Sequence, residues 1–240
     1  MSRVPECFDL VVFDWDGTLM DSQARIVACI QAAFQDAGRT PPSREAASDI
    51  IGLGLDDAMA RLWPGSDAHQ RAVVAGHYRR HFLVTNETPS ELFPGARAML
   101  ERLAAEGYLL AVATGKSRVG LDRSLGETGL RDLFHATRCA DETFSKPHPQ
   151  MLLELMDELG VSAHRTLMVG DTEYDLQMAA NARAQALAVC HGVHDAERLL
   201  SLGPLGCLES LAEIPDWLAG RSRGKESANE RERARIGYAR

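Results

Sequence analysis

A run of apolar, β-branched residues that ends abruptly in acid constrains this chain more than any other feature. Phe8 to Ser22 reads F-D-L-V-V-F-D-W-D-G-T-L-M-D-S, in which Leu10 to Phe13 gives way to Asp14, Trp15, Asp16, Gly17 and Thr18. Unbroken Leu/Val/Phe without polar alternation suits a parallel strand covered on both faces. The strand's carboxyl end, where open α/β sheets place their ligands, therefore carries Asp14. A carboxylate there can be a nucleophile or a metal ligand, and one two residues further on can serve as general acid and base. The alternative is structural: Asp14 and Asp16 can equally make Asx turns and cap the next segment.

The rest of the chain supports such a sheet. From Phe93-Pro-Gly95 onward, helical and buried-strand patterns alternate. A helix from Ala96 to Glu106 leads to a strand from Tyr108 to Ala113, and a helix from Val119 to Thr128 to a strand from Phe134 to Cys139. A helix from Pro149 to Leu159 leads to a strand from Thr166 to Gly170, and a helix from Thr172 to Ala182 to a strand from Gln185 to Cys190. That alternation predicts a right-handed, doubly wound parallel sheet, hence an α/β fold.

Residues 22–89 carry no parallel-strand signal, only helical spacing broken by Gly38, Arg39 to Ser43, Gly52 to Gly54 and Pro64-Gly65. The last of these helices is predicted from about Asp67 to Leu83. The expected organisation is a core of residues 1–21 and 90–220 and a small all-helical cap of residues 22–89, with flexible connections near Asp21 and Pro89. A mobile tail of residues 221–240 completes it.

Composition narrows the function classes. The chain has 240 residues with 45% hydrophobic and 25% charged side chains, ordinary for a globular protein with a sizeable core. Its formal net charge is -8, and Arg221 to Arg240 alone carries +4, leaving -12 on the body. Nonspecific nucleic-acid binding thus has no electrostatic support. No run approaches the roughly 20 apolar residues that span a bilayer, so no membrane segment is expected. The N-terminus is not that of a secretory signal. Cys7, Cys29, Cys139, Cys190 and Cys207 form an odd set without a C-x-x-C pair and are read as reduced thiols of a cytoplasmic protein.

The polar residues that follow the strands decide the reading. Asp14 and Asp16 follow the first strand, Thr114 with Gly115 the second, Lys146 the third, and Asp171 with Asp175 the fourth. All strand ends of a parallel sheet face one crevice, so residues more than 150 apart in sequence converge. Asp14, Asp171 and Asp175 supply the hard oxygen ligands magnesium prefers, a metal usually completed by water and substrate phosphate. Lys146 and Thr114 add a cation and a hydroxyl donor, and the set suits a phosphoryl group attacked in line by a carboxylate, with Asp16 as proton donor. Each residue also has a plainer role: Thr114 can begin a helix, Lys146 can be a loop charge, and Asp171 and Asp175 can cap and complement a helix.

These residues resemble the haloacid dehalogenase superfamily of aspartate-dependent phosphohydrolases. The resemblance covers most of residues 8–192, with Asp14-Trp-Asp-Gly-Thr18, Val112-Ala-Thr-Gly115, Ser145-Lys-Pro147 and Gly170-Asp-Thr-Glu-Tyr-Asp175 in the family's order. The helical insert is similar to its smaller-cap subclass. The resemblance implies that Asp14 forms a phosphoaspartyl intermediate and that Asp16 acts as acid, then as base. Thr114, Lys146, Gly115 and the backbone amide of Trp15 hold the phosphoryl group. Asp14, the Asp16 backbone carbonyl and Asp171 bind Mg2+, with Asp175 in or near that shell. The second aspartate, Asp16, is absent from dehalogenases, and a cap without lysine excludes the phosphonate-cleaving chemistry. Thr18 and Thr114 stand where mutase relatives carry Val and Ser.

The expectation is a magnesium-dependent phosphomonoesterase acting on a small phosphorylated metabolite, similar to phosphoglycolate phosphatase, as monomer or homodimer. A phosphosugar mutase and a noncatalytic binding or regulatory protein of the same fold are the alternatives. For the cap, Gly52-Leu-Gly54 is either a loop dipping to the crevice or a plain helix connection, and His77, Arg79, Arg80 and His81 are expected on a solvated face. Lys116 is within reach of a substrate, Glu173 and Tyr174 are expected on a helix surface, and no histidine is assigned to metal.

Overall fold

The structure, a computed structural model, describes residues 7–221. The expected tail therefore lies outside the described residues from 222 onward. Arg221, its first member, instead ends a helical stretch over 214–221 and donates to the Leu205 carbonyl at 3.3 Å, with its guanidinium 4.2 Å from the Trp217 ring.

The chain enters through β1 (Leu10–Phe13), and β2 (Met20–Asp21) then leads outward. Four helices follow: α1 (Gln23–Asp36), α2 (Arg44–Asp49), α3 (Leu55–Leu62) and α4 (Ala68–Arg80). The second and fourth are capped by side chains. Ser43 accepts the Ala46 amide at 3.1 Å, and Asp67 forms a reciprocal capping box with Gln70. The last helix stops three residues before Leu83, because His81–Thr85 winds into a π-helical turn.

These helices have a core of their own, with Ile30, Phe34, Ile50, Met59 and Val74 all buried. The chain returns through β3 (Glu91–Leu92), which pairs antiparallel with β2 so that Met20 faces Leu92 and Asp21 faces Glu91. A two-stranded ribbon thus stands where the sequence reading placed flexible connections.

The remaining chain alternates: α5 (Ala96–Ala105), β4 (Leu109–Thr114), α6 (Arg118–Thr128), β5 (Ala136–Cys139), α7 (Gln150–Leu159), β6 (Thr166–Gly170), α8 (Glu173–Asn181) and β7 (Gln185–Val189). A short α9 (Ala196–Ser201) and β8 (Cys207–Leu208) close it. The six strands form one parallel sheet in the order β5-β4-β1-β6-β7-β8. β1 is covered on both faces, as its composition requires: Val11 and Phe13 join one apolar cluster, Leu10 and Val12 another.

Register positions the site. Phe13 lies level with Val112 of β4 and Val169 of β6, so Asp14, Thr114 and Asp171 all leave the sheet at one rim. The edge strand β8 and α9 are absent from the sequence reading, because a two-residue strand carries no period.

One cysteine expectation is corrected. Cys190, just past β7, and Cys207, in β8, form a disulfide with their Cα atoms 6.3 Å apart, whereas Cys7, Cys29 and Cys139 are free. Neighbouring strands bring together two residues 17 apart, a proximity no spacing motif encodes. Among the described residues no helix is long and apolar enough to cross a membrane.

Candidate active site

The turn after β1 builds the floor. Asp14 is fully buried, its amide bonded to the Val169 carbonyl at 3.0 Å, and the Trp15 carbonyl accepts the Leu19 and Met20 amides. Trp15 is itself buried, its indole edge-on to Phe134 with centroids 6.2 Å apart. Gly17 makes the bend possible. Its φ is +87°, and a Cβ there would lie 2.2 Å from an Asp171 carboxylate oxygen, so neither the conformation nor the space admits a side chain.

Asp14, Asp171 and Asp175 converge, offering oxygens within 4.8 Å of one another, all buried. Lys146 reaches in from the loop after β5 with Nζ 2.7 Å from Asp14 Oδ1 and 2.7 Å from Asp175 Oδ1. The other acceptors are engaged by the loops. Thr18 Oγ1 donates to Asp171 Oδ1 at 2.7 Å, and the Val193 amide donates to Asp171 Oδ2 at 2.8 Å. Thr172 donates to Asp175 Oδ2 through its amide at 3.1 Å and its hydroxyl at 2.7 Å. Thr172, not Asp171, is thus the helix N-cap, which removes the capping role from Asp171.

Asp14 Oδ2 is buried without a hydrogen-bond partner. Three buried carboxylates face one ammonium, so two negative charges lack compensation when all are ionised. Burial and then, after the opposing pull of Lys146, the charges of Asp175 and Asp171 hold the Asp14 carboxyl well above its usual range. Burial and the Asp175 charge push Asp171 to about 7. For Lys146, burial works against the ammonium, but Asp14 and Asp175 more than offset it and leave its pKa raised. An orphaned carboxylate oxygen beside two more carboxylates is the donor set of a hard divalent cation, and the residues fit one.

Asp16 stands apart from this cluster. Its Oδ1 accepts from Ser22 Oγ at 2.5 Å and lies 2.9 Å from Lys116 Nζ. Its side chain is therefore free of the carboxylate triad and available for proton transfer. Thr114 is buried at the end of β4, and its Oγ1 accepts the Lys116 amide at 3.2 Å, which leaves the hydroxyl proton to donate elsewhere. The helix that follows is capped by Ser117, so the helix-start role of Thr114 is excluded.

The helical insert lies over this rim. Between the two lies a cavity of about 230 Å3 that Asp14, Asp16, Thr114, Gly115 and Lys116 line from below. Gly52-Leu-Gly54 does dip: the Gly54 amide donates to Ser145 Oγ at 2.7 Å, next to Lys146.

A polar cluster holds the far side. Asp49 of α2 takes Arg198 at 2.5 Å and Arg61 at 3.2 Å, and its carbonyl accepts the Tyr174 hydroxyl at 2.7 Å. Arg198 also binds Glu173 at 2.7 Å, and His194 lies 3.5 Å from Asp49. Tyr174 is 2% exposed, which corrects the expectation that it and Glu173 belong to a bare helix surface. His77, Arg80 and His81 converge on Asp36, while Arg79 and Arg80 remain exposed, as expected of a solvated face. Sequence reasoning missed Ser22 and the Asp49–Arg198 pair. Ser22 had a signal in its nearness to Asp16, whereas the pair, 149 residues apart, had none.

Comparison with known proteins follows the same lines. The family model of haloacid dehalogenase-like hydrolases matches residues 11–189. The "Probable phosphatase IndB" of Dickeya dadantii is 36% identical over 85% of this chain and 91% of its own length. A phosphoglycolate phosphatase of Aliivibrio fischeri is 32% identical over 83% of this chain and 91% of its own. Among solved structures, a hydrolase from Pseudomonas syringae superposes with a TM-score of 0.80 at 22% identity, over 90% of this chain and 99% of its own. With its motifs on one sheet rim and most of its length within the family match, this chain belongs to the haloacid dehalogenase-like hydrolases.

Proposed function

We propose that the protein is a magnesium-dependent phosphomonoester hydrolase that acts on a small phosphorylated metabolite through a phosphoaspartyl intermediate, with residues 22–89 as its cap. The observation that carries this reading is the buried Asp14 carboxylate at the floor of a cavity that Thr114 and Asp16 also line, with one oxygen unpartnered and Lys146 Nζ 2.7 Å from the other. The relatives named as phosphatases support it.

Asp14 attacks phosphorus, and the bond from phosphorus to the alcohol oxygen breaks as Asp16 delivers a proton to that oxygen. Asp16 then removes a proton from water, whose oxygen displaces Asp14 and releases inorganic phosphate. Lys146, the Thr114 hydroxyl and the amides of Trp15 and Gly115 hold the phosphoryl oxygens. Asp14, Asp171, Asp175 and the Asp16 carbonyl would hold magnesium, which supplies positive charge against the phosphoryl oxygens.

Phosphate release from a generic phosphate ester, with and without EDTA, tests the proposal. Wild type with magnesium is expected to turn over, and Asp14→Asn and the chelated enzyme to lose at least about 10³-fold of the rate. Isomerised product without free phosphate supports the mutase alternative, and full activity of Asp14→Asn refutes the covalent route.

A further inference from the structure

The cavity above Asp14 has a composition of its own. Its cap-side wall is formed by Ile30, Ile50, Ile51, Leu53, Met59 and Tyr78, the first three from α1 and the turn after α2. Its volume is about 230 Å3. A phosphoryl group and a two-carbon acid leave much of that unfilled.

Its charges are equally specific. Among the described residues the cations that line it are Lys116 and Arg79. Lys116 is committed, 2.9 Å from Asp16 and 4.5 Å from the centre of the Phe82 ring. Arg79 is exposed at the mouth, where water screens it. Asp56 and Asp141 line the cavity as well. A carboxylate on the departing alcohol would be stripped of water among isoleucines with no buried, unpaired cation to receive it. Tyr78, stacked on Phe82 at 5.7 Å, makes no hydrogen bond through its hydroxyl among the described residues, which leaves one polar handle in an apolar wall.

Resting on the phosphohydrolase reading, we propose that the preferred substrate is the phosphate ester of an uncharged, ring-bearing alcohol. Its apolar body packs against Ile30, Ile50, Ile51 and Met59, and one acceptor atom meets the Tyr78 hydroxyl. Carboxylate-bearing esters such as phosphoglycolate are disfavoured.

The experiment measures kcat/KM for 2-phenylethyl phosphate, ethyl phosphate and phosphoglycolate, esters of unactivated alcohols, with p-nitrophenyl phosphate as a generic control. The phenylethyl ester is expected to exceed the other two by about 10-fold or more. Leu53→Arg, which places a cation in the cavity, is expected to lower that preference and raise phosphoglycolate turnover. In a second variant, Tyr78→Phe, the ratio of 2-(4-pyridyl)ethyl to phenylethyl phosphate is expected to fall several-fold. Equal or better use of phosphoglycolate by wild type, with p-nitrophenyl phosphate still hydrolysed, overturns the substrate class and spares the phosphohydrolase reading. An unchanged ratio in Tyr78→Phe overturns the handle. Failure on every ester, the control included, brings down the phosphohydrolase reading itself and the substrate class with it.

Discussion

Replacing Gly115 by alanine should uncouple the helical insert from the sheet while leaving the sheet intact. A Cβ on Gly115 would lie 2.5 Å from the Leu53 carbonyl oxygen and 2.6 Å from that of Gly52. Ordinary contact begins near 3.4 Å, so the loop must retreat by about 0.9 Å. It cannot simply rotate away, because both obstacles are backbone and Gly52 already holds φ at +100°. The same displacement stretches the bond from the Gly54 amide to Ser145 Oγ from 2.7 Å to beyond hydrogen-bonding range. Losing one such bond costs about 1 kcal/mol, which for a chain of this size lowers the melting temperature by about 2–4 °C. A misplacement of about 1 Å next to the chemistry can cost about 10²-fold in rate. The assay pairs kcat/KM on a generic phosphate ester with thermal unfolding of the same preparation. A variant within threefold of wild-type activity, melting at the wild-type temperature, would show that the loop does not rest on Gly115 during turnover.

Magnesium should raise the melting temperature of wild type and not of Asp171→Asn, since a ligand bound only to the folded state stabilises it. The pH sign follows from Asp171. Its folded pKa of about 7 lies above the ordinary 3.8, so its contribution to metal-free stability is complete below 3.8 and is lost as pH rises through about 7. In EDTA the wild type should therefore lose stability between pH 6 and pH 8 through this group, and the magnesium-induced rise should be larger at pH 8. Melting curves that show a larger rise at pH 6 would refute the assignment. Lys146→Met leaves three buried carboxylates without their ammonium and is expected to cost about 3–5 kcal/mol in urea denaturation at pH 8. An unchanged midpoint would mean the carboxylates are not repelling one another.

Most of the sheet was legible because its strands carry patterns that local physics explains. Leu10 to Phe13 and Thr166 to Gly170 are apolar runs bounded by acid, and both strands stand where their composition places them. Gly160 closes α7 with a positive φ, as a helix-ending glycine should. The pieces that escaped reading are those whose partners are remote. β8 has two residues and exists only because β7 offers an edge, and that pairing also brings Cys190 to Cys207.

What the sequence by itself determined is the set of chemical groups and the rim they would share. Strands of one direction end at one edge, so Asp14, Thr114, Lys146 and Asp171 were bound to meet once the alternation of strand and helix was recognised. Only the tertiary structure decided how those groups partner. It put Lys146 between Asp14 and Asp175, set Lys116 on Asp16, and closed the far side with Asp49 and Arg198. The physical reason is range: periodicity and capping act over a few residues, whereas an ion pair or a cavity wall depends on distances between side chains that the sequence separates by dozens of positions.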